Sequence, residues 1–78
     1  MKRLIDTIEE RRRDFKKKLA EPDALLINEK YLKKLIKEFS EEADIEEEAV
    51  KYTFEVLGYD GLKVVVADSI DTFKLAKF

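Results

Sequence analysis

Ala24-Leu25-Leu26-Ile27-Asn28 decides how this chain folds. Four consecutive apolar residues closed by a good helix-capping residue predict a short buried strand that feeds directly into a helix. Glu29 follows in the first turn, where its charge suits the helix dipole. Leu32, Leu35, Ile36 and Phe39 then recur at i, i+3, i+4 and i+7, and Ala43 continues the face. Lys30, Lys33, Lys34 and Lys37 occupy the rest of the surface, so the helix is amphipathic on one side. Upstream, Pro22 biases Glu21 away from helical geometry and separates the strand from whatever precedes it.

Toward the other end, Leu62 to Ala67 reads as a strand with both faces apolar, which predicts a central position in the sheet. Asp68 to Asp71 turns the chain, and Phe73 to Lys77 forms a last strand with Phe73 and Leu75 on one face. Asp44 with Glu47 matches a capping pattern, so a short helical turn is expected from Ile45. Lys51-Tyr52-Thr53-Phe54-Glu55-Val56 admits two readings. Polar and apolar residues alternate and β-branched and aromatic types dominate, which favours a strand. The alternative is a third helix from Ile45 to Leu57, with Ile45, Ala49, Tyr52 and Val56 on one face and Gly58 just past its end. Gly58-Tyr59-Asp60-Gly61 is a turn on either reading. The expected architecture is a small single α+β domain, residues 1–78, with two main helices packed on a three- to four-stranded, mostly antiparallel sheet.

Residues 2–19 predict a charged first helix. Leu4, Ile5 and Ile8 begin an apolar stripe that Phe15 and Leu19 continue, but Arg12 interrupts it. Only Phe15 is apolar between residues 9 and 18, so this helix is expected to project or to pack on a partner. Ile8, Phe15 and Leu19 would form the seam, with Arg12 and Arg13 meeting acids of that partner.

Seventy-eight residues without cysteine or histidine leave a thin core with no disulfide and no Cys/His zinc site to support it. Oligomerisation or dense ion pairing is the expected substitute. Charged residues make up 44% of the chain, well above the usual quarter, and glutamine is absent. That bias matches hyperthermophile composition, and a thermophilic source is expected. The net charge of −2 hides two poles. Residues 1–19 carry eight basic and four acidic side chains, whereas residues 38–60 carry nine acids and one lysine. Such a dipole favours head-to-tail association or a partner that touches one end only. No apolar run is long enough for a membrane span and no secretory leader is evident, so a cytoplasmic or virion location is expected.

Few residues point to chemistry. Without His or Cys most nucleophilic triads and soft-metal sites are excluded, and two glycines cannot build a phosphate loop. No enzymatic activity, cofactor or metal is expected. Arg11, Arg12, Arg13, Lys16 and Lys17 could track nucleic-acid phosphates, although interleaved Glu9, Glu10 and Asp14 dilute the stripe. The acids Glu41, Glu42, Asp44 and Glu46 to Glu48 could instead mimic nucleic acid toward a basic enzyme groove. Tyr31, Tyr52 and Tyr59 are candidates for an interface patch.

One resemblance spans residues 24–78. Leu25-Leu26-Ile27-Asn28 followed by Leu32, Leu35 and Ile36, then Gly61-Leu62-Lys63-Val64-Val65-Val66, Asp68-Ser69-Ile70 and Thr72 to Phe78, resembles the core α/β segment of tailed-phage major capsid proteins and related small prophage proteins. That family carries proline where Lys63 and Asp71 stand here. The resemblance implies a viral or prophage-type protein that works by assembly, with a homo-oligomer or another viral or host protein as partner. It implies no catalytic residue.

Overall fold

The computed structural model describes residues 3–77. Lys2, expected to open the first helix, and the terminal aromatic Phe78 lie outside them. The element order is α1 (Leu4–Lys18), β1 (Ala24–Ile27), α2 (Glu29–Ala43), α3 (Glu47–Val56), β2 (Lys63–Val66) and β3 (Phe73–Ala76). The strands form one sheet in the order β2-β1-β3, with β1 parallel to β2 and antiparallel to β3.

Two expectations are corrected here. The segment from Lys51 to Val56 is helical, not a strand, so among the described residues the sheet has three strands and the helices are three. The sheet is mixed rather than mostly antiparallel, and β1, not β2, is central. One cause serves both. Parallel strands cannot be joined by a hairpin; they need a long crossover, and α2 with α3 supplies it. Glu46, Glu47 and Glu48 at the start of α3 suit its dipole, and Gly58 at its far end accepts the left-handed conformation that stops it. Asp44 does not begin a helix. It ends α2 in a left-handed conformation (φ 54°), and its N–H donates to the Ser40 carbonyl.

Asn28 behaves as expected. Its side chain accepts from the Lys30 N–H at 2.9 Å, and its Nδ2 donates to the Ile70 carbonyl at 3.0 Å. Its own N–H donates to the Thr72 carbonyl, so one residue closes β1, opens α2 and holds the loop before β3.

The core lies on one face of the sheet. Leu25 and Ile27 of β1, Val64 of β2 and Phe73 and Leu75 of β3 share that face and meet Leu4 and Ile8 of α1, Leu35 and Ile36 of α2, and Val50 and Phe54 of α3. Phe39, Phe54 and Tyr59 form a mutually edge-to-face aromatic trio with centroids 5.5, 5.6 and 6.5 Å apart. Burial holds the Tyr59 phenol protonated well above its ordinary range. The opposite face carries Leu26, Val65 and Ala76 between exposed Lys63 and Lys74, and none of these joins the core cluster.

Helix α1 is not a free projection. It packs on α2 and β3, and the radius of gyration, 12.0 Å, is close to the roughly 11.5 Å of a compact chain of this length. Arg3 offers no capping side chain at its start. The carboxylate of Glu38, in the middle of α2, takes that role, accepting from the N–H groups of Leu4 and Ile5, both at 3.0 Å. Both donors are otherwise orphans at the positive end of a helix dipole. Glu38→Ala is therefore expected to cost about 1–2 kcal/mol, the range of a lost cap. Urea unfolding checks the value, and amide exchange should show Leu4 and Ile5 opening first.

Candidate functional site

Helix α3 is apolar on two sides. Val50 and Phe54 face the core and are nearly inaccessible. Tyr52 and Val56, one turn apart on the other side, are 67% and 58% exposed. Ile45 before the helix and Leu57 after it are exposed as well, Leu57 at 76%. Exposed Ala49 sits at helical spacing between Ile45 and Tyr52. Glu48 and Glu55 border the stripe, and the C-terminal part of α3 shares a shallow groove with Lys63 and Val64 at the start of β2.

A second groove, about 360 Å³, runs between α2 and α3 over Leu32 and Ile36. Its rim holds Glu29, Glu47 and Glu48 together with Lys33 and Lys51. Mixed signs around an open apolar floor suit a protein surface better than a buried ligand, which needs enclosure. Among the described residues, no group of acidic side chains is placed to hold a metal ion, and no helix is long and apolar enough to cross a membrane.

The seam expected on α1 is divided. Ile8 is fully buried in the protein's own core, which removes it from any interface. Phe15 is half-buried against the same core. Leu19, 72% exposed just past the end of α1, and exposed Arg13 remain free to meet a partner. Arg12 is engaged within the chain: its guanidinium donates to Glu21 and to Asp60, each at 3.1 Å, and ties the middle of α1 to two loops. Lys16 adds a second contact to Glu21 at 3.3 Å. The hydrogen bond from Arg12, then that from Lys16, hold the Glu21 carboxyl below its ordinary range.

Of the five cations expected at nucleic acid, Arg12 and Lys16 are thus committed to acids, and Arg11 lies 5.7 Å from the centre of the Phe73 ring. Arg13 and Lys17 are exposed. The three tyrosines occupy separate environments: Tyr59 in the core, Tyr31 packed partly against it, and Tyr52 in the open. The outer stripe of α3 is the surface that the favoured strand reading missed. The helical alternative did group Ile45, Ala49, Tyr52 and Val56. The signal it lacked was the second pair, Val50 and Phe54, on the opposite side of the same helix. No protein-family model, no curated protein and no solved structure matches the chain.

Proposed function

We propose that the protein works through protein–protein contacts and self-associates, with the outer face of α3 as its contact surface. One observation carries this reading: α3 keeps a second apolar side, Tyr52 and Val56, in solvent although Val50 and Phe54 already fill the core. Exposed apolar side chains that include a tyrosine and are bordered by charge suit an interface. Virion assembly, which the capsid resemblance implies, is one setting for such contacts. Binding to nucleic acid through α1 has less support, because Arg12 and Lys16 already hold acids within the chain.

Sedimentation velocity tests the reading. The wild type is expected to associate as concentration rises. Tyr52→Asp with Val56→Asp should keep its thermal stability to within about 0.5 kcal/mol per site, as exposed positions do. It should weaken association by about 2 kcal/mol or more, as loss of an aromatic anchor does. A wild-type chain that stays monomeric at every concentration and salt overturns the proposal.

A further inference from the structure

The two flanks of the molecule are built alike but carry opposite charge. On one, α1 runs beside β3, and Arg11, Lys18 and Lys74 with a single acid, Asp14, surround Phe15, Phe73 and Leu75. On the other, α3 stands between α2 and β2, and Glu29, Glu47, Glu48 and Glu55, against Lys33 and Lys51, line two adjoining grooves floored by Leu32, Ile36, Phe54, Val64 and Val66, so acids outnumber lysines there. Each flank is also a sheet edge, since β2 and β3 are the outer strands. The N–H groups of Lys63 and Ala67 donate to the carbonyls of Asp23, just before β1, and Ile27, at its end. Backbone groups alternate in direction along a strand, so those of Val64 and Val66 point away from the sheet. The core, and with it the helices, lies on one face, so a second sheet can continue the first without the helix layers colliding.

We infer that copies of this chain associate head to tail, the α1/β3 flank of one docking against the α3/β2 flank of the next. The inference rests on the self-association proposed above and adds its geometry. Opposite charge selects the occupant. The acidic flank repels a second acidic flank, so a symmetric α3-to-α3 pair places like charge against like, whereas the cations of α1 meet the acids of α3. Val56, exposed where α3 meets β2, then gains lysine and arginine stems as cover, since these side chains bury their aliphatic stems and keep the charge wet. Such a heterologous contact leaves one flank open at each end, and growth continues until the rotation between copies closes a ring.

Two charge-reversed chains test this. One carries Glu47→Lys, Glu48→Lys and Glu55→Lys; the other carries Arg11→Glu, Lys18→Glu and Lys74→Glu. All six residues are exposed, so both chains should fold, which circular dichroism checks. At low salt each alone should associate roughly a hundredfold more weakly than the wild type, and an equimolar mixture should recover association through the restored pairing of opposite flanks. High salt should weaken the wild type as well. If the chain reversed on α1 and β3 still self-associates like the wild type, the head-to-tail arrangement falls while self-association through α3 stands. If the wild type is monomeric, both fall together.

Discussion

Gly58→Ala should be among the most damaging single-methyl additions in this chain. Gly58 stands two residues past the end of α3 at φ +85°, where its N–H donates to the Thr53 and Phe54 carbonyls and closes off the helix. Any side chain there costs about 1–2 kcal/mol for the left-handed backbone alone. A Cβ would also stand 2.2 Å from the carbonyl oxygen of Leu62, a backbone atom that cannot swing aside. That oxygen accepts from the Tyr59 N–H at 2.7 Å, in the bridge that closes the Asp60-Gly61 turn and launches β2. Relieving the clash means opening the bridge, and Tyr59 and Leu62 are both core residues. A loss of about 3 kcal/mol or more is expected, which lowers the melting temperature by on the order of 15 °C in a domain this small. Gly61 supplies the control. It also sits at φ +85°, but a Cβ there meets nothing within 4 Å. Gly61→Ala should cost only about 1 kcal/mol. Equal melting points for the two variants would show that backbone conformation alone, without the Leu62 carbonyl, sets the cost.

That turn also shows where the sequence is legible. Asp60-Gly61 between apolar residues is a strong local signal, and both residues do adopt positive φ, the requirement of the tight hairpin turn. Asn28 is equally local: a capping residue at the junction of an apolar run and an amphipathic repeat, it caps α2. What failed was non-local. Tyr52, Phe54 and Val56 alternate with polar residues, and alternation alone puts all three on one face of a strand. In the helix Phe54 turns inward to Phe39 and Tyr59 while Tyr52 and Val56 turn outward. The choice was set by the parallel pairing of β1 with β2, invisible in a local window because its partners lie 39 residues apart in register, Ala24 opposite Lys63. Likewise the triple valine of β2 suggests a strand covered on both sides. At the sheet edge Val64 packs on the core, Val65 lies on the open face and Val66 is 51% exposed. The polar middle of α1 suggests an independent helix, because neither the Glu38 cap nor the Arg12 links to Glu21 and Asp60 can be seen from spacing.

Ile8→Asp should unfold the protein. Were Ile8 part of a seam on a projecting helix, the substitution would dissociate an oligomer and leave each chain folded. Its side chain is instead wholly inaccessible and joined to a core that includes Leu4, Leu35 and Phe73. A carboxylate at that position loses the transfer energy of the isoleucine and brings an unpaired charge into an apolar site, a combined cost of about 4 kcal/mol or more. A chain of this length has on the order of 4–12 kcal/mol to lose, so the native state is largely or wholly depopulated. Ile8→Ala, which removes volume without adding charge, should remain folded at a cost of about 2–5 kcal/mol. Leu19→Asp, at a position 72% exposed, should leave stability within about 0.5 kcal/mol. Thermal melts followed by circular dichroism, run beside sedimentation on the same three variants, separate the two roles. The proposed assembly would draw on other residues than folding does: Ile8 holds α1 to its own core, while Arg11, Arg13, Lys17, Lys18 and Leu19 stay exposed.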